Sequence, residues 1–276
     1  MRKIIVGLVV CVAIVCLVIV ASHTERGGFA IHRFLAELGY DKAQHSVALC
    51  YATGKGVNKD MPEAIKWCRK AAEQGNAKAQ FDLGVCYNNG EGVAKDETEA
   101  VKWYRKAADQ GYANAQFDLG VCYDKGTGVA NDKTEAVKWF RKAAEQGYVG
   151  AQYYLGVFYG NGVGVAKDLT ESVKWYRTAA EQEDVRAQDA VGECYHYGIG
   201  VAKDMTEAAK WYSKAAERGN EMSQLQLGCC YKNGEGVAKD LKEAAKWYRK
   251  AAEQGNAQAK EVLKDLGETP QTPSQP

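Results

Sequence analysis

Apolar positions between residues 76 and 111 recur first as Ala79, Phe81, Leu83, Cys86 and Tyr87, then as Ala100, Trp103, Ala107 and Ala108. Both runs keep the three-and-four spacing that gathers side chains on one helix face. Gly90 and Gly92 interrupt the pattern between them, and Gly111 closes it as a helix C-terminal glycine does. The pattern predicts a helix A, a short turn and a helix B. It then repeats with a period of 36 residues and no insertion. The glycine of a GV..D element falls at Gly56, Gly92, Gly128, Gly164, Gly200 and Gly236. Tryptophan keeps the same step at Trp67, Trp103, Trp139, Trp175, Trp211 and Trp247, and tyrosine at Tyr51, Tyr87, Tyr123, Tyr159, Tyr195 and Tyr231. Such periodicity is the signature of stacked supersecondary units.

Six full repeats follow: residues 40–75, 76–111, 112–147, 148–183, 184–219 and 220–255. Residues 29–39 align with the end of a helix B and residues 256–267 with a helix A, so half-repeats close both ends of an all-α solenoid over 29–267. Three of the four prolines lie in the last seven residues, and 268–276 is expected to be a disordered tail.

The N-terminus breaks the pattern. Arg2 and Lys3 precede 18 uncharged residues, 4–21. A secretory apolar region runs about 7–15 residues and a membrane span about 20. Residues 1–22 therefore fit a signal peptide or a retained signal anchor. Either one places the rest of the chain outside the cytoplasm, periplasmic or secreted, with residues 4–21 in the inner membrane if they are kept.

The repeated letters A.AQ..LG..Y..G.GV..D...A..WYRKAA.QG, as in 79–111, resemble the Sel-one-like repeat family, a relative of the tetratricopeptide repeats. The resemblance implies a right-handed α/α solenoid that binds proteins or peptides, and export is common among bacterial members. Departures are local: Ala48 and Val191 stand in the LG pair, and Glu183 replaces a repeat-closing glycine. Some cysteine-rich relatives are described as β-lactamases, but Ser172 is followed three residues later by Trp175, where the S-x-x-K signature needs lysine.

Charge and chemistry narrow the function. Lys plus Arg number 36 against 35 Asp plus Glu, so no basic excess points to nucleic acid. The four histidines are scattered, and no H-E-x-x-H, G-x-S-x-G or paired C-x-x-C motif occurs. No catalytic, cofactor-binding or metal-ligating set is expected. The Lys-Asp of NGEGVAKD resembles a phosphate loop, yet it recurs between helices. Asp96 followed by Glu99 has capping-box spacing, which predicts that Asp caps helix B and Glu reaches back to the Asp N–H. Gly84 and its equivalents are expected to let helix B approach closely, and the tryptophans to fill the core.

Cysteine occupies one column at Cys50, Cys86, Cys122, Cys194 and Cys230, with Phe158 completing it. Equivalent positions in adjacent repeats lie about 10 Å apart, beyond the roughly 7 Å a disulfide spans. Cys68 departs from the helix B column held elsewhere by Tyr104, Phe140, Tyr176, Tyr212 and Tyr248. A Cys50–Cys68 bridge and a pair of buried thiols both satisfy this pattern.

The positions that vary between repeats share one face of helix A, which the tetratricopeptide resemblance places in a concave groove. The candidate partner-binding residues are Phe81, Asn88, Phe117, Asp124, Lys125, Tyr153, Asn161, His196 and Tyr197. Aromatic rings beside amides and charges suit an extended peptide. The expected function is an exported or membrane-anchored scaffold with a protein or peptide partner. The alternatives are a structural envelope element contacting cell-wall polymer and a secreted host-interaction factor.

Overall fold

The computed structural model describes residues 25–267. The apolar segment at 4–21 and the tail at 268–276 lie outside the described residues. Among the described residues there are fourteen α-helices and no strands. Within each of two compact units, consecutive helices pack on one another as in an α-solenoid, and no described helix is long and apolar enough to cross a membrane.

The chain divides into two compact units. The first, Met1–Asp132, holds α1 (Glu25–Glu37), α2 (Asp41–Thr53), α3 (Met61–Glu73), α4 (Ala77–Asn89), α5 (Glu97–Asp109) and α6 (Ala113–Lys125). The second, Lys133–Pro276, holds α7 (Lys133–Glu145), α8 (Val149–Asn161), α9 (Leu169–Glu181), α10 (Val185–Tyr197), α11 (Met205–Glu217), α12 (Glu221–Asn233), α13 (Leu241–Glu253) and α14 (Ala257–Asp265). Even-numbered helices are the A helices.

The repeated glycines have an identifiable packing partner. A Cβ at Gly84 would lie 2.7 Å from the Tyr104 ring, and one at Gly228 would lie 2.7 Å from Tyr248. Helix B thus presses its aromatic ring onto bare helix A backbone, and the missing methyl offsets glycine's poor helix propensity. The turn glycine meets the preceding repeat: at Gly128, with φ +67°, a Cβ would sit 2.1 Å from the Glu97 carbonyl oxygen. Alanines such as Ala107 and Ala143 are fully buried. Trp67, Trp103, Trp139, Trp211 and Trp247 are buried as expected, whereas Trp175 is only partly buried. The five buried rings each carry a lysine ammonium from one turn later, for example Lys106 at 3.8 Å from Trp103.

The capping expectation is half right. The Asp96 side chain accepts from the Glu99 N–H at 2.9 Å, and the same cap forms at Asp60, Asp168, Asp204 and Asp240. The reciprocal arm does not form. The Asp96 N–H is already taken by the Tyr87 carbonyl at 2.9 Å, so the Glu99 carboxylate turns outward to Lys102 at 2.8 Å. The turn between helices, not the box, supplies the missing acceptor.

Two polar clasps lock successive repeats. Gln80 donates to the Ala72 carbonyl at 3.0 Å, and its own oxygen accepts from Gln110 at 2.6 Å. Gln152 with Gln182 and Gln224 with Gln254 repeat this in the second unit. The Arg69 guanidinium donates to the Tyr87 hydroxyl at 2.5 Å, and Arg105 reaches Tyr123 in the same way. At these joints the buried polar groups satisfy each other, as burial requires.

Candidate functional site

The A helices carry the candidate residues, and the two units place them differently. In the first unit, Phe81 is half-buried, its ring 5.8 Å from Tyr104 and 5.3 Å from Tyr112. This ring packs between helices. Phe117 is also half-buried, on α6. The last turns of α4 and α6 are more open. Asn88 and Lys125 line one cavity of about 200 Å³ together with Tyr104, Asp118, Val121, Cys122 and Thr127. Asp124 lies next to Lys125 on α6, and its carbonyl accepts from the Asn131 side chain.

Electrostatics single out Asp118. Burial raises its carboxyl to about 6, well above the ordinary carboxylate range. Asp118 is not among the candidates that the sequence pattern singles out. Its column, Ser46, Asp82, Asp118, Tyr154, Ala190 and Gln226, varies as strongly as those chosen.

The joint one repeat earlier encloses a cavity of similar volume with different walls. Leu49, Ile65, Cys68, Asp82, Val85 and Cys86 are among its lining residues. Cys68 stands here where Tyr104 stands in the next joint, so a thiol leaves open the space that a ring would fill. Ala48 replaces the glycine that a ring would require. Cys50 and Cys68 are both free thiols in this structure. The Cys68 Sγ donates to the Ala79 carbonyl of α4 at 3.2 Å, and burial raises its pKa strongly.

In the second unit, Tyr153 is half-buried, 5.7 Å from the Tyr176 ring, with the Arg186 guanidinium 4.4 Å above it. Asn161 ends α8 and is exposed. His196 and Tyr197 end α10 with rings stacked at 4.4 Å, and Tyr197 is 59% exposed. The His196 Nδ1 lies 3.5 Å from the Tyr212 hydroxyl. The Asp189 carboxyl, also raised by burial, accepts from the Ser223 hydroxyl at 2.5 Å.

Among the described residues no three His, Cys, Asp or Glu side chains converge as a metal site. Aromatic, amide and charged groups at the helix ends offer recognition.

The Sel1 repeat family model matches residues 41–76, 77–112, 113–148, 149–184, 185–220 and 222–256. The chain belongs to the Sel1 repeat family, whose members serve generally as protein–protein interaction scaffolds. A solved structure described as a protective antigen of uropathogenic Escherichia coli strains, displaying an SLR fold, is 40% identical with a TM-score of 0.84. The match covers 88% of this chain and 53% of that one, so this chain spans about half the length of that relative. A Sel1 repeat protein from Oxalobacter formigenes is 39% identical with a TM-score of 0.67, over 77% of this chain and 85% of that one. Comparison with curated proteins gave no match.

Proposed function

We propose that this chain is an exported or membrane-anchored scaffold that holds a peptide or protein segment against the ends of its A helices. The observation that carries this reading is the contrast between framework and helix ends. Residues common to the repeats are consumed in the joints: glycine under tyrosine, glutamine on glutamine, arginine on tyrosine. At the last turns of the A helices, equivalent positions hold Asn88, Asp124 and His196, followed by Lys125, Asn161 and Tyr197. An identical frame with unlike side chains presents a distinct surface at each repeat, which is what sequence-specific recognition needs. Open volume beside Asn88 and Lys125 and the exposed Tyr197 ring fit contact with a partner.

Export rests on the apolar run at 4–21. Antigenicity of the E. coli relative fits a position outside the cytoplasm. Catalysis forms no part of the proposal. The test is a photo-crosslinking residue at position 125 or 197 of the full chain in its native cells. A discrete protein adduct at both positions is expected. Adducts only to sacculus would replace the scaffold with the envelope-structural alternative, and recovery of the chain in the cytoplasm would remove export.

A further inference from the structure

Asp118 and Tyr104 face the same cavity, and neither side chain makes a hydrogen bond to a described residue. Other repeats show what is missing. One repeat earlier, the Asp82 carboxylate lies 2.6 Å from His45 Nε2, supplied by the preceding A helix. In the next repeat Phe81 takes the place of His45, and a phenyl ring has no N–H to give. In the second unit the tyrosines equivalent to Tyr104 do have partners. The Tyr212 hydroxyl lies 3.5 Å from His196, and Tyr248 donates to Cys229 Sγ at 3.3 Å. Asn88 occupies the place of His196 but turns its amide toward Asn89 at 3.2 Å. The joint between α4, α5 and α6 thus keeps an open cavity of about 200 Å³ with an unpaired acceptor and an unpaired hydroxyl in its wall.

We propose that this cavity receives an arginine side chain of the partner segment, its guanidinium seated on the Asp118 carboxylate. The proposal rests on the peptide-binding reading above. A partly desolvated carboxylate without a partner is costly and attracts a cation that brings its own donors. Arginine fits better than lysine: its planar fork offers five donors, matching the carboxylate, the Tyr104 oxygen and the Asn88 carbonyl together. The volume suits one side chain and no folded element. Lys125 sits in the same wall and makes no ion pair with Asp118. It disfavours a second positive charge beside the arginine and favours an acidic neighbour. The partner chemistry is therefore an arginine next to an aspartate or glutamate.

The titratable groups facing Asp118 are Tyr104 from α5 and Cys122 and Lys125 from α6, while α4 contributes the neutral Asn88. Burial keeps Tyr104 and Cys122 protonated, with Cys122 at about 11, so across neutral pH the charge in the cavity changes at Asp118. Its carboxyl titrates near 6, and binding should weaken as pH falls through that value.

The test uses the full chain and a fluorescent, end-blocked Ala-Arg-Asp-Ala-Ala peptide read by anisotropy. Saturable binding at pH 7.5 is expected, about tenfold weaker at pH 5, where roughly a tenth of a group titrating near 6 is ionised. Replacing arginine by citrulline, or making Asp118→Asn, should each weaken binding at least tenfold. Lys125→Ala should weaken the Arg-Asp peptide relative to an Arg-Ala peptide. A cooperative melting transition for Asp118→Asn at or above that of the native chain establishes that loss of binding is not loss of fold. Equal binding of the citrulline peptide, indifference to Asp118→Asn, or closure of the cavity by Lys125 on Asp118 with no peptide bound would overturn the proposal. The broader reading fails separately. A protein adduct at positions 125 and 197 without arginine-peptide binding keeps the scaffold and removes this site. Asp118-dependent peptide binding without such an adduct does the reverse.

Discussion

Arg218 donates to both the Glu183 carbonyl, at 2.8 Å, and the Glu183 carboxylate, at 2.7 Å. Glu183 is the one described non-glycine residue with left-handed backbone, φ +69°. Two departures from the repeat thus answer each other. Glutamate stands where glycine closes the other repeats, and arginine stands where glutamine makes the clasp. The exchange leaves the Gln188 oxygen buried without a partner, because the glutamine that would bond it is Arg218.

Glu183→Gly should relieve the strained backbone and stabilise the protein by about 1 kcal/mol. Arg218→Gln alone should be near neutral, gaining a clasp on Gln188 and losing the hold on Glu183. The double variant should exceed the sum of the singles in urea unfolding, since the two sites share one network. A destabilised Glu183→Gly would show that the arginine fork outweighs the strain.

Cys68 and Ala48 form a second answering pair. Cys68→Tyr should cost about 1–3 kcal/mol, because Ala48 carries the methyl that Gly84 lacks beneath Tyr104. Adding Ala48→Gly should recover most of that loss and fill the cavity beside Leu49. Thermal unfolding of both variants checks it, and a tolerated single Cys68→Tyr would refute the steric coupling.

Trp139 is 4% exposed, with the Lys142 ammonium 3.8 Å from its ring. Trp139→Ala should cost about 3–5 kcal/mol, whereas Lys142→Ala should cost about 1 kcal/mol or less. Similar melting temperatures for the two variants would remove the tryptophan from the core.

Asp118 makes stability depend on pH in an unusual direction. Its folded carboxyl titrates near 6, above the ordinary value of 3.8, so the native state binds the proton more tightly than the unfolded state. This contribution makes stability fall as pH rises from about 4 to about 6, with the full cost remaining above 6. Asp118→Asn should therefore gain up to about 2 kcal/mol at pH 7.5 and little at pH 4. Equal gains at both values would mean that the carboxyl is not desolvated.

Much of this is legible in the sequence, for a physical reason. A packing role that recurs six times leaves the same letter six times, so Trp139, Asp96 and Gly84 announced their places. What escaped depends on contacts across a turn or joint. Asp-x-x-Glu spacing serves a capping box and a Glu99–Lys102 ion pair equally. The Tyr87 carbonyl decides between them, and it arrives from nine residues upstream. Gln80 and Gln110 were plain as repeated letters, but their bond needs the packed helices. Phe81 varies like a groove residue because it packs on Tyr112, which varies as well. Asp118 was visible only by reading two neighbouring columns together, where His45 over Asp82 becomes Phe81 over Asp118.

The clasps also say how such a chain changes length. Every bond that locks a joint relates residues a fixed number of positions apart, 18 for Arg69 with Tyr87 and 30 for Gln80 with Gln110. Duplicating or deleting one whole period in the gene preserves all of them, whereas adding a single codon inside a turn would force Gly128 away from the Glu97 carbonyl. Change in this protein is thereby channelled into gaining or losing complete periods and editing helix ends, so the number of repeats and the side chains they present can be altered independently.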